Sequence, residues 1–294
     1  MNVVSLFNGM NTGRQALENV GIKVDKYYSS EIKPYAIELT QYHFPDTIQV
    51  GDVTKWKEWD IDWKSIDLVL SGSPCQDLSS SGKREGINGS KSSLFFVFVE
   101  ILEHVKSLNP NVLFLQENVG SARKIDIGIM SRTLGIYPVR INSSLVTAQL
   151  RDRYYWSNIR TRQDGMFGDI ITDIPPPKDK GLMFKDTITS GTVFRNKSKT
   201  LLAASENAFN YKDRFSEKAQ EYIKSRVKFG VSLVYEINEN KDEIVRMVNK
   251  IEMCRLQGFP DDYCDILSTK KAGSLLGDGW TLPVIEHIFK FIKH

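Results

Sequence analysis

Val3-Val4-Ser5-Leu6-Phe7-Asn8-Gly9-Met10-Asn11-Thr12-Gly13 is the stretch that decides the fold. Val3–Phe7 is a short apolar run, read as a buried strand, and Thr12–Val20 has helical spacing. Between them lies a turn containing Gly9. Strand, glycine turn and helix together open a βα unit. Glycine lets the backbone approach a ligand, and the first N–H groups of the helix are free to meet it. The turn is not G-x-G-x-x-G, so a dinucleotide is disfavoured. A glycine turn alone also arises for purely steric reasons.

The same rhythm continues outward. Val24–Ser29, Thr47–Val50, Asp67–Leu70 and Val112–Leu115 read as strands, and Tyr154–Trp156 lies in another. Pro34–Tyr42 and Leu94–Val105 read as helices. The strands are apolar on both faces, which a parallel sheet covered by helices requires. The expected class is therefore α/β, a doubly wound and mostly parallel sheet. Pro175-Pro176-Pro177 interrupts the pattern, and Ile174 to about Lys241 is more polar and basic. Regularity returns at Lys250, and Pro283–Lys293 reads as an amphipathic helix. The expected division is a main domain of 1–160 plus 247–294 and a small module of 161–246.

Composition narrows the class. The chain has 294 residues, 41% apolar and 26% charged, the balance of an ordinary folded protein. Its start has no basic region followed by a long apolar run, so neither a signal peptide nor a membrane span is expected, and a cytoplasmic location follows. Cys75, Cys254 and Cys264 are too few for a disulfide framework, and no pair has metal-ligand spacing. No metal is expected. Net charge is +3, yet Lys178 to Lys228 holds twelve Lys/Arg against six Asp/Glu. That local excess suits phosphate contact, although a solvated surface would look the same.

Several side chains carry chemistry by position. Glu31 ends the second strand and Asp52 the third, the edge where open α/β sheets bind ligands. There Glu31 can accept ribose hydroxyls and Asp52 an adenine amino group; each also reads as a helix cap. Ser73-Pro74-Cys75-Gln76 follows the fourth strand, which aims a thiol at the same cleft. Asp77 to Ser93 is serine-rich, with three Gly, two Lys and one Arg, a polar basic loop suited to closing over an anion. Gln116-Glu117-Asn118-Val119 follows another apolar run, where a carboxylate would sit in a partly dry cleft and handle a proton. Arg151-Asp152-Arg153 alternates into a strand, so its two guanidinium groups are expected on one side, gripping a carbonyl or a phosphate.

Read together, these segments resemble the DNA (cytosine-5)-methyltransferase family over nearly the whole chain. Phe7–Gly13 is similar to its cofactor loop, Pro74-Cys75-Gln76 to its nucleophile motif, Glu117-Asn118-Val119 to its Glu-Asn-Val and Arg151-Asp152-Arg153 to its Arg-x-Arg. Arg255-Leu256-Gln257-Gly258-Phe259-Pro260 is similar to the ninth block and Gly277-Asp278-Gly279-Trp280 to the tenth. Asn8 stands where an acidic or other polar residue is frequent, and Asp278 and Trp280 stand where Asn and Val are common. The spelling is closest to the de novo animal branch, without its reader domains, so a bacterial or phage enzyme is expected.

The resemblance implies an S-adenosylmethionine-dependent fold with a small target-recognition domain at 161–246. It implies cofactor contacts at Phe7, Asn8, Gly9, Met10, Thr12, Glu31, Ile32, Asp52, Val53, Ser73, Pro74, Leu94, Asp278 and Trp280, with S-adenosylhomocysteine as product. It implies a catalytic set of Cys75, Glu117, Arg151 and Arg153, in which Cys75 attacks carbon 6 of a flipped-out cytosine. Duplex DNA would meet Gln76, Ser79, Lys83, Arg84, Arg195, Lys197, Lys199 and Arg214, and a restriction endonuclease acting on the same site is a possible partner. The alternatives are a tRNA cytosine-5 methyltransferase, whose Cys-Phe-Thr signature is missing here, and an inactive DNA-binding relative, which would have lost the Cys, the Glu or the cofactor acids.

Overall fold

The computed structural model describes residues 1–74, 94–166, 168–202, 216–226, 231–237 and 241–293. Its centre is a seven-stranded sheet of order β3-β2-β1-β4-β5-β7-β6. The strands are β1 (Asn2–Leu6), β2 (Lys26–Ser30), β3 (Ile48–Gln49), β4 (Leu68–Ser71), β5 (Leu113–Val119), β6 (Val139–Asn142) and β7 (Asp152–Ser157). β1 pairs in parallel with β2 and β4, β2 with β3, and β4 with β5. Strand order runs outward in both directions from the β1–β4 pair, the arrangement of a doubly wound sheet and the place where such sheets bind ligands. β7 breaks the parallel pattern by running antiparallel to β5, with Glu117 opposite Tyr155 and Val119 opposite Arg153.

The chain forms two compact units. The first comprises Met1–Ile141, Asp152–Pro176 and Ile285–His294. Its helices include α1 (Thr12–Asn19), α2 (Pro34–His43), α3 (Leu94–Leu108) and α4 (Lys124–Leu134). Phe95, Phe98, Leu102 and Val105 repeat at helical spacing along α3 and are fully buried. They share one core cluster with Val4 and Leu6 of β1, Val69 of β4, Phe114 of β5 and Met130 and Leu134 of α4. Each such ring or branched chain contributes about 1.5–3 kcal/mol on burial. The buried Trp156 of β7 satisfies its indole N–H on Ser131 Oγ at 3.0 Å. A hairpin of β8 (Thr161–Asp164) and β9 (Asp169–Thr172) also belongs to this unit.

The second unit comprises Asn142–Arg151 and Pro177–Val284. It holds α5 (Glu217–Arg226), the antiparallel pair β10 (Leu233–Ile237) and β11 (Glu243–Met247), α6 (Lys250–Gln257) and α7 (Thr269–Asp278). A helix α8 (Leu282–Phe289) continues the chain back into the first unit. Ile223, Val231, Leu233 and Val245 form a small separate core. Asn249 caps α6 and Glu252 reaches back in a capping box, while Gly258 ends the helix at φ +79°. Residues 161–176 pack with the first unit, and 247–284 with the second. Among the described residues, no helix is long and apolar enough to cross a membrane.

Candidate active site

The turn after β1 is bent tightly enough to place three residues in left-handed backbone, Phe7 at φ 55°, Gly9 at φ 59° and Asn11 at φ 63°. Only glycine does this freely, so Phe7 stores strain at this edge. Glu31, just past β2, holds the turn in place. Its Oε2 accepts the Gly9 N–H at 2.8 Å, and its Oε1 accepts the N–H of Ile32 at 2.8 Å and of Lys33 at 3.0 Å. A carboxylate has about four acceptor positions, so one more donor can be taken. Asp52 caps the 3-10 turn that begins at Val53. Its Oδ1 accepts the Thr54 N–H and hydroxyl, both at 2.9 Å. Those bonds hold its carboxyl below the usual range, the backbone N–H contributing most.

The turn fits a nucleoside-bearing cofactor with a polar head. Asn11 is fully buried, and neither atom of its amide has a hydrogen-bond partner among the described residues. An orphaned amide of this kind, beside free N–H groups at the start of α1, marks a place that a polar group is built to meet. Sequence reasoning passed over Asn11; the signal available was an Asn at a position requiring a positive φ. The remaining cofactor candidates divide by where their side chains go. Met10, Thr12 and Val53 are buried, Phe7 and Leu94 pack partly against the core, and Ile32 is exposed. Asn8 turns inward, where its Oδ1 accepts from the Tyr27 hydroxyl at 3.2 Å. Its side chain therefore serves the fold.

Beyond β4 the polar groups become dense. Ser73 is buried and its Oγ accepts from Gln116 Nε2 at 2.9 Å, and Pro74 is the last residue described on this side. Ser71 Oγ, Gln116 Oε1 and Asn118 Nδ2 are buried without partners among the described residues. Cys75, Gln76, Ser79, Lys83 and Arg84 lie outside the described residues, as does Arg214.

Glu117 lies within β5 itself, where the antiparallel ladder with β7 explains its partner. Side chains alternate along a strand, so Arg153 and Tyr155 share a face, and Arg153 is the diagonal neighbour of Glu117. Arg153 Nε meets Glu117 Oε1 at 2.9 Å, both side chains almost buried. Arg153 Nη1 donates to the carbonyl of Asp152 at 2.8 Å. Gly120 secures this register. Its N–H donates to Asp152 O at 2.9 Å, and a Cβ on it would fall 2.7 Å from that oxygen, so no larger residue fits.

Arg151 does different work from Arg153. It is buried in the second unit, where Nη2 donates to Gly277 O at 3.0 Å and Gly279 O at 2.8 Å. It braces the segment carrying Asp278 and Trp280. Gln257 of the ninth block supports the same segment, bonding Leu276 O, while its Oε1 accepts from Thr281 Oγ1 at 2.7 Å. Lys197 also departs from expectation. Its ammonium donates to Ser144 O at 2.6 Å, Thr147 O at 3.1 Å and Leu182 O at 2.5 Å. An ammonium has three protons, so this cation builds the unit and has none left for a phosphate. Arg195 is exposed, and Lys199 is partly so.

The comparisons agree with this architecture. EhMeth, a methyltransferase of Entamoeba histolytica, superimposes with a TM-score of 0.63 over 100% of this chain and 99% of its own, at 13% identity, a likeness of fold. The type II methyltransferase M1.ScrFI of Lactococcus lactis subsp. cremoris is 26% identical over 97% of this chain and 76% of that protein. M.NgoBV of Neisseria gonorrhoeae, also a type II methyltransferase, is 35% identical over 40% of this chain, a match spanning only 27% of that protein's length. The family model described as C-5 cytosine-specific DNA methylase matches residues 1–136 and 139–294, so the chain belongs to the C-5 cytosine-specific DNA methylase family.

Proposed function

We propose that this protein methylates carbon 5 of cytosine in duplex DNA, with Cys75 as the covalent nucleophile and 161–246 as the target-recognition region. The observation that carries the reading is the Glu117–Arg153 ion pair, fixed by the β5–β7 ladder at the sheet edge where the nucleophile motif begins. Membership of the C-5 cytosine-specific DNA methylase family supports a DNA substrate, and the type II class of the matched methyltransferases suggests a restriction endonuclease acting on the same site.

Carbon 5 of cytosine is a weak nucleophile, and the base must leave the stack before it can be reached. The Cys75 thiolate forms a bond to carbon 6, pushing an electron pair toward N3. Glu117 holds a proton at N3, so charge is neutralised as it develops. Arg153 fixes the Glu117 carboxylate and presents its guanidinium to the O2 carbonyl. Carbon 5 then has enamine character. Bound S-adenosylmethionine would supply the electrophilic methyl, and in the first unit Phe7, Gly9, Glu31 and Asp52 would hold it. Water takes the carbon 5 proton, its bonding pair forms the carbon 5–carbon 6 double bond as the Cys75–carbon 6 bond breaks, and the thiolate is restored while the N3 proton returns to Glu117.

The test is isotope-labelled S-adenosylmethionine with unmethylated mixed-sequence duplex DNA, digested to nucleosides and read by mass spectrometry. Labelled 5-methylcytosine is expected. Label on tRNA and none on DNA would overturn the substrate. Cys75→Ser should abolish turnover while S-adenosylhomocysteine binds as in the wild type, and a variant that kept most of its activity would remove Cys75 from the mechanism.

A further inference from the structure

We propose that Phe194 is a base-stacking side chain, presented by the second unit to the nucleic acid it meets. The proposal rests on the DNA reading above for the identity of the strand. Lys185 and residues 188–193 line an open groove of about 450 Å³. Just beyond its lining residues Phe194 stands 77% exposed. A lone exposed Phe is ordinary on a protein surface. What sets this one apart is the rigidity beneath it.

The groove segment is pinned at several points. Thr192 and Tyr235 exchange backbone hydrogen bonds of 2.8 and 2.9 Å. Gly191 has φ +85°, and a Cβ there would fall 2.4 Å from Tyr235 O, so the close approach depends on glycine. Arg246 Nη2 donates to Ser190 O at 2.8 Å, and Glu252 Oε1 accepts the Thr189 N–H at 2.8 Å. The Phe194 ring then rests edge-on against Tyr235, centroids 4.7 Å apart at 61°. A large apolar ring is thus held in water by buried charges and a paired strand. An ordered aromatic loses little freedom when a flat partner stacks on it.

Charge identifies that partner. Arg195 follows Phe194 directly and is exposed, Lys185 lines the groove, and Lys178 to Lys228 carries twelve basic against six acidic residues. A second copy of this chain would bring the same excess of positive charge and be repelled. A polyanion bearing π-faces matches both features, since every base stacks and every step carries phosphate. Apolar side chains of this kind enter between base steps when a duplex is opened or kinked.

The experiment uses the full chain, labelled mixed-sequence duplex DNA and anisotropy at several salt concentrations, with Phe194→Ala and Phe194→Trp. Phe194→Ala should bind roughly 5- to 150-fold more weakly, the range that base–aromatic stacking spans. The slope of log K against log salt should stay unchanged, because no phosphate contact is lost. Phe194→Trp should restore affinity, and S-adenosylhomocysteine binding, read by calorimetry, should match wild type in both variants. Wild-type DNA affinity in Phe194→Ala would overturn the stacking role while leaving the DNA reading intact. So would a loss of affinity accompanied by a flatter salt slope, or a change confined to self-association in sedimentation. The same contrast seen on single-stranded RNA and absent on duplex DNA would keep the stacking role and overturn the substrate. A wild type that binds neither nucleic acid would overturn both.

Discussion

The Arg153–Glu117 pair of the first unit and the Arg246–Glu252 pair of the second are built for opposite ends. Arg246 and Glu252 are buried in the second unit, joined through bonds of 2.7 and 2.8 Å. Glu252 also takes the Thr189 N–H at 2.8 Å and the Asn249 N–H at 2.9 Å, and Arg246 Nε meets Glu236 at 2.7 Å. In this network the charges lock a capped helix, a strand and a loop together. The Arg153–Glu117 pair meets at 2.9 Å at a slightly open edge, and polar neighbours such as Asn118 Nδ2 have no partner among the described residues. Satisfied charge is structure; charge beside unsatisfied polar groups is a site still expecting something to bind.

The contrast predicts different failures. Glu117→Gln should lower single-turnover methylation by about 10²–10⁴-fold, the usual weight of a positioned acid or base. Its denaturation midpoint should barely move, because the amide still reaches Arg153. A stability loss matching the activity loss would erase the distinction between the pairs. Glu252→Ala should do the reverse. Removing one member of a buried pair leaves Arg246 uncompensated and costs about 3–5 kcal/mol. Urea unfolding should show that loss, and a variant as stable as wild type would mean that the network is dispensable.

Acid offers a gentler way to break the same network. Burial is the largest influence on Glu252 and pushes its carboxyl up, but the Arg246 bond and the Thr189 and Asn249 N–H groups together hold it below the ordinary value. Its folded value thus lies below its unfolded value of about 4.3. The stability it contributes is present above that unfolded value and is lost as pH falls through the folded one. The gap in stability between wild type and Glu252→Gln should therefore be widest near neutrality and close as pH falls below about 4. A gap independent of pH would contradict ionisation of Glu252.

How much of this was readable in advance follows from where each signal lies. β1, β4 and α3 are announced by apolar runs bounded by glycine or serine turns, and the family's motifs sit at their ends. β5 was legible only to Leu115. It continues through Gln116, Glu117 and Asn118, polar residues that look like a loop and are buried. The pairing of Glu117 with Arg153 depends on the antiparallel turn-back of β7, which three aromatic residues in a row do not disclose. The hairpin strand Thr161–Asp164 is exposed throughout and has no apolar alternation to betray it. Arg151 and Lys197 have their partners in backbone carbonyls, Gly277 lying 126 residues from Arg151. Sequence shows that a residue is cationic; only the fold shows whether its protons are already taken.

That last distinction gives the finest test, on two cations two residues apart. Arg195 is exposed, whereas Lys197 has given its three protons to Ser144, Thr147 and Leu182. If the second unit meets DNA, Arg195→Ala removes one phosphate contact. It should reduce the salt slope of binding by about 1 and weaken affinity evenly across sequences. Lys197→Ala should leave that slope untouched and show itself in unfolding, because three buried-side carbonyls lose their donor. The two variants carry the same change in net charge, so general electrostatics cannot separate them. An equal drop in salt slope for both would mean that Lys197 leaves its carbonyls to reach DNA, and the division between cations that build and cations that bind would fail at this position.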